Sequence, residues 1–213
     1  MSTSTRRNSH VVAILAGLVL LGLVAAFAIG LPKATGDEGS ASSASSTPDH
    51  ITMPDSIAGG FQAADDAASF AGGQLAGQAK QIAAQQQAAT AYANKVLPQA
   101  LGAPAASRSY VLHGTEAVFV QVFTSDGGAF APSSLSDPAA SNGGGGRTMK
   151  AVGDGVCILT YGQSQSGGAA PTTPSDSQCQ VSKDGLTAQI EAGAVSPEDL
   201  VKAADALLAQ VNG

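Results

Sequence analysis

The sequence predicts an α+β protein: an N-terminal transmembrane helix, a flexible stalk, and then an antiparallel sheet of four to five strands with a long Ala/Gln-rich helix and a C-terminal helix on one face. Three observations carry this expectation. An uncharged run of 21 residues spans Val11 to Leu31. A region dominated by Ala and Gln follows from about Phe61, with apolar residues recurring every seven positions. Beyond Tyr110 the pattern changes to β-branched and aromatic runs of period two, and the chain closes on a helix-start signal.

The opening run is long enough, at about 1.5 Å per residue, to cross a hydrocarbon core of roughly 30 Å. Arg6 and Arg7 precede it and Asp37 and Glu38 follow it, so the positive-inside bias places the N-terminus in the cytoplasm. The boundaries expected are a cytoplasmic tail over 1–10, an anchor over 11–31, a stalk over 32–50 and an extracytoplasmic domain over 51–213. A cleaved signal peptide is the competing reading, because Ala26-Phe27-Ala28 has the A-x-A form; the domain is then secreted rather than tethered. Gly22, Ala26 and Gly30 are four apart and line small residues along one side of the helix, the pattern of a homodimer seam. The plainer explanation is that Gly and Ala are common in membrane helices.

Ala34 to Pro48 is Ser, Ala, Gly, Thr and acid without periodicity, as expected of a spacer. Ile51 to Gly60 reads as an ordered lead-in. The Phe61–Leu101 region carries Phe61, Ala68, Leu75, Ile82, Ala89 and Val96 at seven-residue spacing, which predicts an amphipathic helix, interrupted near Gly72, Gly73 and Gly77 and stopped by Pro98. Tyr110–Leu112 and Ala117–Phe123 flank His113-Gly114-Thr115-Glu116 and predict a hairpin. Ser125 to Arg147 reads as a Gly/Ser/Pro-rich loop.

Val156–Tyr161 is apolar on both faces and predicts a central strand, with Gln178–Ser182 as its neighbour. Lys183-Asp184-Gly185 supplies a turn, after which Leu186, Ala188, Ile190 and Ala192 alternate with polar residues. Ser196-Pro197-Glu198-Asp199 starts the last helix, with Ser as N-cap, Pro at the first helical position and acids at the positive end of the dipole; Leu200, Ala204, Leu207, Leu208 and Val211 form its apolar face. The order expected is helix, a meander of strands, helix.

The two cysteines, Cys157 and Cys179, both lie on the exported side, where an even count reads as a disulfide joining neighbouring strands. A redox or metal pair is disfavoured by the spacing, which is not C-x-x-C, and by the lack of a histidine cluster. From Ala34 onward seven basic side chains face sixteen acidic ones, a net charge of −9. That sign argues against nucleic acid and against an anionic membrane surface as partners. The absence of tryptophan and the 4 % aromatic content argue against a stacking platform.

A short basic N-terminus, one anchor, an Ala/Ser/Thr stalk, a Pro-x-x-Ile-x-Gly entry (Pro54, Ile57, Gly59 or Gly60), a Gly-rich strand with one cysteine (Gly153, Gly155, Cys157), a second cysteine strand (Cys179) and a short final helix together make the chain resemble a loose group of uncharacterised actinobacterial single-pass membrane proteins with a small exported domain. Where members carry an aromatic and an acid after the second cysteine, Gln180-Val181-Ser182-Lys183 stands here. The resemblance implies an exported domain and carries over no functional residue.

No catalytic set, metal set or cofactor is expected. His113 reads as a polar turn residue, and Gly162-Gln163-Ser164-Gln165-Ser166 departs from G-x-S-x-G at its last position. Asp65-Asp66 and Glu198-Asp199 read as solvated or capping acids. The function expected is an extracytoplasmic interaction module of the cell envelope that binds a protein or an envelope component. The alternative is a hydrolase of unusual geometry. Ligand contacts are expected on the loops 125–147 and 162–177, because Gly/Ser-rich connections on a stapled sheet tolerate variation.

Overall fold

Eight strands form one antiparallel sheet in the computed structural model, which describes residues 50–128, 130–137, 145–163 and 172–212. They are β1 (Ser56–Ile57), β2 (Phe61–Ala63), β3 (Ala105–Leu112), β4 (Glu116–Thr124), β5 (Gly146–Val152), β6 (Gly155–Tyr161), β7 (Asp176–Lys183) and β8 (Leu186–Ala192). Helix α1 (Ala79–Leu101) lies between β2 and β3, and α2 (Pro197–Asn212) follows β8. The anchor 11–31 with Gly22, Ala26 and Gly30, and the stalk up to residue 49, lie outside the described residues. Among the described residues no helix is long and apolar enough to cross a membrane.

The spatial order β1-β2-β3-β4-β8-β7-β6-β5 is two four-stranded meanders whose last strands, β4 and β8, meet antiparallel at the centre. This corrects the expected count of four to five strands and the single meander. β1 and β2 are too short to show a period, and β5 (Gly-Arg-Thr-Met-Lys-Ala-Val) is an edge strand whose exposed polar residues hide its pattern. Two turns keep their expected form. His113 and Gly114 take positive φ between β3 and β4, and Asp184 and Gly185 do so between β7 and β8, where Lys183 pairs with Leu186.

One face of the sheet holds the main core. Tyr110 pairs with Val118, Val118 with Ala192, and Val120 with Ile190, which sits opposite Cys179; all are 1 % exposed or less. Helix α2 covers this face with Leu200, Ala204, Leu207 and Leu208. Its start is as expected: the Asp199 N–H donates to Ser196 Oγ at 3.1 Å, and the Ser196 hydroxyl donates to Asp199 Oδ2 at 2.7 Å.

The other helix is not where the sequence placed it. Val111 points away from Tyr110's face and packs with Ala64, Phe70, Ala79 and Ile82, so α1 lies on the opposite side of the sheet, against β3. The two helices are therefore on two faces rather than one. The 61–78 stretch is not helical in the α sense either: Phe61 belongs to β2, and short 3-10 turns occupy Ala67–Phe70 and Ala76–Gln78. A side chain at Gly73 would come 2.7 Å from the carbonyl oxygen of Gly114, so the β3–β4 turn presses directly on that segment. Within the seven-residue stripe, Phe61 and Ile82 are buried in different clusters while Ala89 and Val96 are exposed. Pro98 sits inside α1, and the stop is Gly102 at φ 64°. Beyond this apolar contact, one side chain ties α1 to the sheet: Asn94 Oδ1 accepts the Ser107 N–H at 2.7 Å, satisfying β3 beyond the point where β2 ends.

Candidate functional site

Cys157 and Cys179 form a disulfide, as the cysteine count predicted, and they are directly opposite one another on β6 and β7 with Cα atoms 4.0 Å apart. Both sulfurs are buried in the main core under the start of α2. The remaining histidine of the folded region, His113, is an exposed turn residue 3.9 Å from Glu116. Of the adjacent acids, Asp66 caps the 3-10 turn by accepting the Ala68 N–H, and Asp199 serves the α2 start. Asp65 departs from the expectation of a solvated acid.

Asp65 belongs to a polar junction built around Arg108. The guanidinium donates to Asp65 through Nη2 at 2.7 Å and through Nε at 3.0 Å, and through Nη1 to the carbonyls of Pro54 at 2.9 Å and Met53 at 3.1 Å. Tyr110 Oη donates to the same Pro54 carbonyl at 2.8 Å. Burial opposes the charge on Arg108, but the bonds and charge of Asp65 and Asp55 outweigh it and its pKa is raised. Burial, chiefly, holds the Tyr110 phenol protonated far above its ordinary range. This junction clamps the lead-in segment, with Ile51 and Met53 buried, to the sheet. Sequence reasoning passed over it, although the signal was present: Arg108 falls on the same alternation as Ala106 and Tyr110, which puts a charge on a core-facing position.

The second polar assembly lies on the other face of the sheet. Among the described residues no helix covers that face beyond β3. Side chains from successive strands form a ladder of amides there, in which Gln121 Nε2 donates to Gln189 Oε1 and Gln189 Nε2 donates to Gln180 Oε1. The adjoining row, from β4 to β5, is Phe119, Glu191, Gln178, Ile158 and Met149. One step further along come Asp176, Thr160 and Arg147, with Arg147 Nε 3.4 Å from Thr160 Oγ1. Asp176 is thus diagonal to Glu191, the arrangement in which side chains on neighbouring strands still reach each other.

Electrostatics at this corner are unusual for a surface. Burial, reinforced by the charge of Asp176 and opposed by Arg147, pushes the Glu191 carboxyl up to about 7. Asp176 is likewise raised by burial, with Arg147 opposing. Among the described residues neither carboxylate has a hydrogen-bond or ion-pair partner. The ends of the two Gly/Ser-rich connections converge here: a side chain at Gly145 would stand 2.5 Å from the Tyr161 carbonyl and 3.5 Å from the Gln163 nitrogen, and Ser175 donates to Thr160 O from its N–H at 2.8 Å. Arg147, expected in the loop, is instead the second residue of β5. The described residues contain no group of three or more His, Cys, Asp or Glu able to hold a metal.

No protein-family model matches the chain, and comparison with curated proteins and with solved structures returned no match.

Proposed function

We propose that the chain is a membrane-tethered, extracytoplasmic interaction module of the cell envelope, which holds a partner protein or envelope component on the helix-free face of its sheet. The observation that carries this reading is that face itself: an amide ladder beside two half-buried carboxylates that have no hydrogen-bond or ion-pair partner among the described residues and only the charge of Arg147 to offset them. Polar groups so placed are costly unless something hydrogen-bonds them, and a docked partner would do so. The buried disulfide suits an oxidising compartment, in keeping with a domain outside the cytoplasm.

The test uses the full chain in intact cells, with a photo-crosslinking residue in place of Gln178 on this face or of Lys202 on α2. A discrete adduct from position 178 and none from 202 is expected; equal adducts from both, or none from either, overturn the reading. An adduct that is a second copy of the chain would identify the partner as itself, consistent with a seam at Gly22, Ala26 and Gly30. Retention after a carbonate wash, with the domain open to external protease, tests the tether. The alternative, a hydrolase, would use Asp176 and Glu191 as its acid and base, since a carboxyl near 7 is suited to both roles. Turnover abolished by Glu191→Gln in the absence of any adduct would favour it.

A further inference from the structure

The amide ladder is neutral and the strands on either side of the corner present Ala117, Phe119, Ile158 and Met149, so among the described residues the charge that these strands place on the helix-free face resides in three side chains. These are Arg147 on β5, Asp176 on β7 and Glu191 on β8, with Thr160 on β6 standing between the first two. Asp176 and Glu191 share one corner of the sheet and are half buried, so ionising both places two like charges in a poorly solvated space. Arg147 opposes both shifts, but it is one positive charge against two negative ones and acts from the exposed edge of the sheet, where solvent weakens its pull.

We infer that Asp176, Glu191 and Arg147 form a proton-sensitive switch, in which uptake of one proton by the carboxylate pair takes this corner from a net negative charge to neutrality. The physical basis is the geometry. The two carboxylates stand at diagonal positions on neighbouring strands and are both half-buried, so the charge of one opposes ionisation of the other and the pair's second ionisation is delayed to higher pH. The direction of both carboxyl shifts agrees, with burial as the leading cause and the partner's charge adding to it at Glu191. With both groups ionised the corner carries two negative charges and one positive; with one protonated it is neutral. A protonated Glu191 also becomes a hydrogen-bond donor on a face whose other members include the acceptor oxygens of the glutamines.

The consequence for a docked partner rests on the reading of this face as the interaction surface, whereas the switch itself does not. A partner bearing a cationic group would be held when the pair is fully ionised and released on acidification. A partner held by neutral amide contacts would show little change.

The experiment is a carboxyl carbon-13 NMR titration of the full chain in detergent micelles, with crosslinking from position 178 measured across the same pH range. Glu191 is expected to titrate with a midpoint near neutrality. Asp176→Asn should lower that midpoint by about one pH unit, a tenfold change in proton affinity, and Arg147→Gln should raise it. A Glu191 midpoint in the ordinary glutamate range, or one that neither variant moves, overturns the switch. Should Asp176→Asn fail to fold, Asp176→Ser reads the same coupling between the carboxylates, while Arg147→Gln reads the separate, opposing pull of the cation. An ordinary titration with strong crosslinking removes the switch and leaves the docking surface standing. A displaced titration without crosslinking does the reverse.

Discussion

Replacing Arg108 with Met should cost about 3 kcal/mol of stability. The guanidinium and Asp65 are 15 % and 14 % exposed, so this is a largely desolvated pair, bridged by two charge-assisted bonds at 2.7 and 3.0 Å. Removing one member of a buried pair costs about 3 to 5 kcal/mol, because the other charge is left without compensation. The residual exposure places this case at the lower end. Asp55, at 95 % exposed, adds little despite its 2.9 Å contact. Pro54 keeps Tyr110 as a donor, whereas the Met53 carbonyl loses Nη1. The chain has no tryptophan, so urea unfolding of the full chain in micelles is followed by far-ultraviolet circular dichroism with the disulfide intact. Adding Asp65→Asn to the Met variant should recover about half of the loss, since the orphaned carboxylate is then gone. A loss below about 1 kcal/mol, or a double variant as unstable as the sum of its singles, would refute the assignment of Arg108 and Asp65 as a coupled clamp on the lead-in segment.

Replacing both Cys157 and Cys179 with Ser should lower stability by about 3 kcal/mol for a loop closed over a separation of 22 residues, with the strand pairing retained; a thiol-alkylating reagent should label no cysteine of the denatured, unreduced wild type. Gly155→Ala should destabilise by about 1 to 3 kcal/mol, because the new methyl would stand 2.9 Å from the Gln180 carbonyl and 3.0 Å from Val201 on α2, and Val201→Ala should relieve part of it; a neutral Gly155→Ala in the same urea assay would mean that the helix is not seated this closely. Glu191 should make the protein more stable on mild acidification. Its folded pKa of about 7 lies above its unfolded one, so the native state holds the proton more tightly, and that stability is complete below about 4.5 and lost as the pH rises through 7. After discounting for its contact with solvent the effect is about 1 kcal/mol, and Glu191→Gln should abolish it; unfolding midpoints at pH 5 and pH 8 that differ by the same amount in both proteins would refute it.

Much of the second half of the fold was legible in the sequence because its signals are local. The Asp184-Gly185 turn, the alternation from Leu186 to Ala192 and the Ser196 cap each act within a few residues, and all three stand in the structure as read. The cysteines were legible for a different reason: an even pair whose spacing is not C-x-x-C, with no histidine cluster beside it, leaves few alternatives to a disulfide, and the two-sided apolar run around Cys157 announced a central strand. The first half misled because alanine and glutamine suit a helix wherever it lies and do not say which side of a sheet it takes. That choice depends on Val111 and Tyr110 pointing to opposite faces of β3, on Asn94 reaching the Ser107 amide, and on β2 claiming Phe61 for the core. Each of these joins residues far apart in the chain. The candidate site was hidden for the same reason. Arg147, Asp176 and Glu191 come from three different strands, β5, β7 and β8, with the long β6–β7 connection between the first and the other two, and only the register of β5, β6, β7 and β8 brings them to one corner. What the sequence by itself determined was the strand chemistry, the staple and the caps, since short-range sterics and hydrogen bonding decide them. The placement of α1, the insertion of β8 beside β4 and the shared field of three distant charges were decided only when the sheet closed, because burial and electrostatics depend on neighbours that the chain order does not reveal.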